Sequence, residues 1–300
     1  MTGPAPSLDP PPAGGWTPLA LEALPPLPPL QLAVVGHVEV VSFVAVAHLP
    51  RPGEILRGET FLELPAGGGA AAAVQLARLS RQPVTFFTAL GRDAAGQQAA
   101  EHLEALGLRL QVAWRDAPSR RGISFCDHSG ERTITVIGER LAPSAADPLA
   151  WGELDGSDGV FVTACDPKAL QLARRSRCLT ATPRLRLAVL NEAAVPLDAL
   201  IGSALDPAER CEPADLNPPP QRLIRTAGAA GGEVLPGGWF AALPPPQTVV
   251  DAYGAGDSFA AGVTAGLAAG WSVEQAISLG CHCGRACLGA LGPYGSQLRL

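Results

Sequence analysis

Val249-Val250-Asp251-Ala252-Tyr253-Gly254-Ala255-Gly256-Asp257-Ser258-Phe259 decides how the rest of the chain is read. Two apolar residues end a strand. Gly254, Ala255 and Gly256 then let the backbone turn tightly and approach a ligand closely. From Ser258 to Ala269 the sequence is rich in Ala and free of Pro, which predicts a helix. Gly262 and Gly266 weaken its propensity and would admit a closely packed neighbour. A glycine turn that opens a helix presents unpaired N–H groups and the positive end of the dipole, a seat for phosphate. Asp257 stands at that point. As an N-cap it would only close the helix end. As a base it would take a proton from a hydroxyl while the amides hold the phosphoryl group under attack. Spacing alone leaves both open.

The chain around this stretch has 300 residues, room for one large domain or two small ones. A net charge of −6 argues against a general nucleic-acid binder. With 47% hydrophobic residues it can bury a substantial core. No apolar run is long enough to span a membrane, and no basic region followed by an apolar stretch marks a secretory signal. Seven cysteines, an odd number without a framework of spacings, predict reduced thiols and a cytoplasmic protein. Cys281-His282-Cys283 with Cys287 invites a metal reading. On a helix only Cys283 and Cys287 share a face, and no second cluster completes a tetrahedral site, so buried thiols are the better reading. Residues 1–30 are Pro-rich and predict a tail that is disordered or loosely docked, with Trp16 and the leucines at 21, 24, 27 and 30 available for docking.

Further along, Leu32-Ala33-Val34-Val35-Gly36 is a buried strand. No G-x-G-x-x-G follows it and no G-x-x-x-x-G-K-[ST] occurs, so neither a classical dinucleotide domain nor a P-loop is expected. Gly67-Gly68-Gly69 runs into an Ala-rich helix. Val84 to Leu90 is a strand, and Gly91-Arg92-Asp93-Ala94-Ala95-Gly96 a turn in which Asp93 caps the next helix. Residues 119–140 predict a hairpin with Ile134 and Val136 on one face and Thr133 and Thr135 on the other. From 158 strands and helices alternate: strand at 159–163, helix 168–176, strand 179–182, helix 184–194, strand 197–203. That alternation predicts a mostly parallel sheet covered on both faces. Leu223 to Gly232 is a strand and a Gly-rich loop.

The stretch 251–259 resembles the D-T-x-G-A-G-D-x-F signature of the ribokinase-like, PfkB-type carbohydrate kinases, with Ala252 in place of Thr. Gly67-Gly68-Gly69 is similar to that family's G-G-x-x-x-N region, Gly91–Gly96 to its G-x-D-x-x-G turn, and Thr226-Ala227-Gly228-Ala229-Ala230-Gly231 to its T-x-G-x-x-G segment. The resemblance covers about residues 31–295. It implies one domain over 31–300, a three-layer α/β/α sandwich with a mostly parallel central sheet and a small β-sheet lid from segments 43–64 and 119–140. It implies ATP-dependent phosphorylation of a hydroxyl on a sugar or sugar-containing small molecule. Asp257 would be the general base and the amides of Gly254, Ala255, Gly256 and Asp257 the anion hole. Thr226, Gly228 and Gly231 would contact nucleotide phosphates. Gly68, Gly69, Glu39 and Glu139 would meet the substrate. Asp206 or Glu209 would organise Mg²⁺, and Asp251 would sit by a monovalent cation such as K⁺. The lid sheets of relatives often pair, which implies a homodimer.

The sequence also departs from the pattern. The G-x-x-N-x-D sugar grip reads Gly36-His37-Val38-Glu39-Val40-Val41, so Glu39 replaces the Asn and Val41 the Asp. The Asn after the glycines falls on Ala72. The N-x-x-E position falls on Ser203-Ala204-Leu205-Asp206. Two further readings stay open: a ligand-binding or regulatory protein on the kinase fold, and a nucleoside or vitamin-precursor kinase of the same superfamily.

Overall fold

Two sheets carry the strands of the structure, a computed structural model that describes residues 15–128, 130 and 132–300. The larger has nine strands. β1 (Leu32–Val35) lies between β4 (Val84–Gly91) and β8 (Gly159–Val162), and β5 (Leu108–Arg115) pairs outside β4. β9 (Cys178–Ala181), β10 (Ala199–Ser203) and β11 (Leu223–Thr226) extend the other side, all in parallel. β12 (Gly232–Leu235) and β13 (Gly238–Phe240) close that edge in antiparallel pairing. The central strands are short and buried on both faces, which is why they are apolar runs rather than alternating ones.

Successive residues of β1 point to opposite cores, as strand geometry requires. Leu32 and Val34 join the core under α1 (Gly68–Ser80), α2 (Ala94–Ala105), α5 (Ala255–Ala268) and α6 (Val273–Cys287). Ala33 and Val35 join the core under α3 (Pro167–Ala173) and α4 (Leu187–Ala193). The three layers expected from the sequence are present. Asp93 caps α2, its carboxylate accepting the Gly96 N–H at 2.8 Å.

α5 and α6 pack with almost no side-chain bulk between them. A Cβ on Gly262 would stand 2.8 Å from the Gly280 Cα. We therefore expect Gly262→Ala to push the two helices apart and cost about 1–3 kcal/mol, despite its better helix propensity. A lower midpoint of urea unfolding checks this; an unchanged midpoint would mean that the helices can separate freely.

The second sheet is the lid, in the order β3-β2-β6-β7, from β2 (Glu39–Ala45), β3 (Thr60–Ala66), β6 (Arg121–Cys126) and β7 (Arg132–Ile137). It begins at Glu39, earlier than the expected residue 43, so the sugar-grip segment and the first lid strand are one element. The expected helix over 184–194 is two pieces: a 3₁₀ turn at Pro183–Leu185, then α4. Arg186, with φ of 77°, interrupts it. The expected strand over 197–203 is formed only from Ala199.

Residues 15–30 are docked along the main body. Trp16 bridges to Phe240 in parallel, their rings 5.6 Å apart, and the Leu19 N–H donates to Ser278 Oγ at 2.9 Å. Leu21, Leu24 and Leu27 pack against the core of α1 and α6. The rest of the Pro-rich tail, residues 1–14, lies outside the described residues. All seven cysteines are free thiols; Cys283 and Cys287 are buried, and His282 Nε2 lies 2.9 Å from the Leu19 carbonyl. Among the described residues no group of His, Cys, Asp and Glu is arranged to hold a metal, and no helix is long and apolar enough to cross a membrane.

Candidate active site

A cavity of about 840 Å³ opens between the lid and the ends of the central strands, and the 251–259 stretch forms part of its wall. This is where ligands collect in open α/β sheets. Gly254 has φ of 79°, a backbone that a side chain would strain, and an added Cβ would lie 2.9 Å from Pro293. α5 starts at the next residue without a side-chain cap. The Ala255 N–H reaches back to the Ala252 carbonyl at 3.3 Å, whereas those of Gly256 and Asp257 have no acceptor among the described residues. Gly254 and Gly256 line the cavity. Two free donors and a helix dipole thus converge on one face of it.

Asp257 also lines the cavity and is half-buried there. Its carboxylate crosses to α1: a Cβ on Gly68 would stand 2.7 Å from Asp257 Oδ1. Burial, reinforced by the charge of Glu209, pushes the carboxyl up to about 6, with Arg184 and Arg132 pulling the other way. Among the described residues no hydrogen bond holds its side chain. Asp257 is therefore not an N-cap that satisfies its own helix, and its carboxylate is available to a ligand.

The stretch is anchored from behind. Both oxygens of the buried Asp251 accept backbone N–H groups, from Tyr253 at 2.9 Å and Gly292 at 3.0 Å. The Tyr253 hydroxyl accepts the Gly67 N–H at 3.0 Å, and its ring stands edge-on to Phe43 of β2 at 4.8 Å. Asp251 is not in the cavity wall, so a cation there would have to share oxygens already engaged.

On one side of Asp257 lie Thr226, Gly228, Ser203, Asp206 and Glu209. Thr226 ends β11 and donates to the Gly202 carbonyl at 3.3 Å. Gly231, expected beside it, is outside the cavity; its Cβ would meet the Phe240 carbonyl at 2.1 Å, so it is a glycine because of the β12–β13 hairpin. Asp206 begins a 3₁₀ turn, its carboxylate accepting the Ala208 N–H at 2.9 Å. Glu209 accepts the Ser203 N–H at 2.7 Å. Both carboxylates are also paired with Arg184, the Glu209 contact being 2.6 Å.

On the other side, under the lid, lie His37, Glu39, Gly67, Gly68, Arg120 and Arg140. Gly69 does not reach the cavity; a Cβ there would strike the His37 backbone at 2.8 Å. Glu139 is exposed outside the cavity wall, and the next residue, Arg140, occupies the wall instead. Glu39 is 7% exposed, between His37 Nε2 at 3.4 Å and Arg120 Nε at 3.2 Å. Burial works against its charge, but His37, Arg120 and Arg140 outweigh it and hold the carboxyl below its ordinary value. Burial holds His37 below its own, so it is neutral at pH 7. Val41 is sealed into an apolar cluster with Phe43, Ala66 and Tyr253, and Ala72 into the core. Ser42, next to Val41 on β2, donates to Glu63 at 3.0 Å away from the cavity.

The model of the pfkB family of carbohydrate kinases matches residues 30–201 and 196–298. The chain belongs to that family. The pfkB-family kinase is a phosphotransferase. It is 24% identical over 286 residues to a ribokinase of Lactococcus lactis subsp. lactis (strain IL1403), 90% of this chain and 94% of that protein. Its fold matches that of a microbiome-derived acarbose kinase with a TM-score of 0.74 at 22% identity, over 90% of this kinase and 96% of the other chain. The ribokinase of Arabidopsis thaliana complexed with ribose and ATP matches with a TM-score of 0.70 at 21% identity, over 90% and 96%. The arginines of the cavity were not singled out from the sequence. Arg120, Arg132, Arg140 and Arg184 lie in four separate segments, and only the lid hairpin and β9 bring them to one wall.

Proposed function

We propose that this kinase transfers the terminal phosphoryl group of ATP to a hydroxyl of a sugar or sugar-bearing small molecule, with Asp257 as the general base. The observation that carries this reading is the meeting of Asp257 with the free N–H groups of Gly256 and its own backbone at the floor of one cavity. The amides and the α5 dipole would stabilise charge growing on the transferred group. Asp257, whose side chain has no hydrogen bond among the described residues, would accept the hydroxyl proton. Thr226 and Gly228 would contact the nucleotide phosphates.

Magnesium keeps most of its water and binds through phosphate and one or two carboxylates. Asp206 and Glu209 fit that demand because they face the cavity, although Arg184 shares them. Bound there, the ion would neutralise phosphate charge. A monovalent cation at Asp251 forms no part of the reading, since that carboxylate is spent on Tyr253 and Gly292.

ADP release from ATP and magnesium against a panel of sugars, sugar derivatives and nucleosides tests the reading. Saturable binding of such compounds without any ADP would favour a binding or regulatory protein instead. The pH profile is a second test. A carboxyl raised to about 6 is active only when ionised, so kcat/KM is expected to fall tenfold per pH unit below about 6 and to level off above it. A flat profile down to pH 5 would remove Asp257 from the role of base.

A further inference from the structure

We propose that the acceptor carries an oxyanion, a carboxylate or a phosphate already on the sugar, which seats against Arg120, Arg132 and Arg140 beneath the lid. The inference rests on the kinase reading above and names the class of its acceptor. All three arginines line the cavity. Arg120 immediately precedes β6 and lies against Gly138, whose Cβ would be 3.8 Å from the Arg120 Cα; Arg140 follows two residues on. Arg132 lies on the same face of β7 as Ile134 and Val136, which also line the cavity.

Ion pairs among the described residues account for only two of the four arginines of this wall, Arg120 and Arg184. Arg184 is matched by Asp206 and Glu209 on the nucleotide side. Under the lid Glu39 is shared between Arg120 and His37, and Asp257 on the floor feels the charge of Arg132 without an ion pair to it. The Arg120 contact lacks hydrogen-bond geometry, and its buried Nε has no partner. Among the described residues Arg140 makes one side-chain hydrogen bond, from Nη1 to the Arg184 carbonyl at 3.1 Å. Arg132 has neither an ion pair nor a hydrogen bond among the described residues. Burial and the charge of Arg120 both press on the Arg140 guanidinium. Arg132 and Arg140, which make no ion pair among the described residues, together with the incompletely bonded Arg120 gain most from an anion that accepts their N–H groups in pairs.

The uncharged partners agree with this reading. Two further polar atoms of the wall, His37 Nδ1 and Thr163 Oγ1, are buried without partners and would meet the hydroxyls of a sugar ring. The positions that would grip a neutral sugar with Asp and Asn are instead Val41 and Ala72, both apolar and out of the cavity. A neutral sugar would leave the partly buried Arg140 guanidinium without a counter-charge.

Isothermal titration of the full chain without nucleotide tests the proposal, using hexoses and pentoses, the aldonates of the same sugars and their monophosphates. At least one oxyanion-bearing compound should bind roughly 10- to 100-fold more tightly than its neutral parent. Arg140→Met should remove that advantage with thermal stability retained, and Arg140→Lys should restore part of it. The aldonate and phosphate arms tell the two sources of charge apart. Parity with the neutral parents, or no binding of any compound, overturns the inference. ADP release with added ATP and magnesium then separates the two claims. Tight oxyanion binding without ADP keeps the acceptor site and removes the kinase reading. ADP release from neutral sugars alone does the reverse.

Discussion

Asp257→Asn is expected to fold and to lose phosphoryl transfer by roughly 10²- to 10⁴-fold, the range that a positioned general base contributes. Asn keeps the shape against Gly68 and removes only the capacity to take a proton. The substitution also carries a stability signature with a definite sign. The folded protein raises this carboxyl from 3.8 to about 6, so it binds the proton more tightly than the unfolded chain does. Stability is therefore greatest below the ordinary carboxyl value and is lost as pH rises toward 6. Asn escapes that loss. The variant should be more stable than the parent above pH 6, by up to about 3 kcal/mol, and not more stable at pH 3.5. The cavity leaves part of the carboxylate wet, which reduces the figure. Turnover within threefold of the parent, or a stability difference that ignores pH, would sink the assignment.

The second large effect is at Val41. Restoring the Asp of the family pattern there, Val41→Asp, is expected to destabilise the protein by about 3–5 kcal/mol. The new carboxylate would enter a cluster of Phe43, Ala66 and Tyr253 with no cation in it. It would not recover a sugar grip, because position 41 is fully covered and lies outside the cavity wall. Urea unfolding should show a lower midpoint with an unchanged slope. A variant as stable as the parent, with tighter binding of neutral sugars, would mean that the lid strand can turn this side chain inward.

The two substitutions mark how far the sequence could be read. The 251–259 stretch was legible because its chemistry is local: the turn, the helix and the acid are consecutive. The parallel sheet was legible from apolar runs alternating with helices. The lid side was not. Its chemistry is assembled from Glu39 on one strand, Arg120 before another and Arg140 after a third, and no spacing along the chain encodes that wall. Glu139 and Arg140 differ by one residue, and in a strand end one residue decides which faces the ligand. Gly231 and Gly69 look like ligand glycines by pattern, but each makes room for backbone instead. The 184–194 segment looked like one helix because composition does not register the positive φ at Arg186.

Tyr253 ties three elements together. Its ring braces β2, its hydroxyl holds the first amide ahead of α1, and its carbonyl receives the Cys287 thiol from α6 at 3.3 Å. The root of the lid is thereby bolted to the turn that presents Gly256 and Asp257. Were the lid to swing, the contacts at its root favour a bend farther out, beyond Phe43, where β3 and β7 stand exposed. Opening for entry and exit would then leave the reactive floor undisturbed, ready for the next molecule without reassembly.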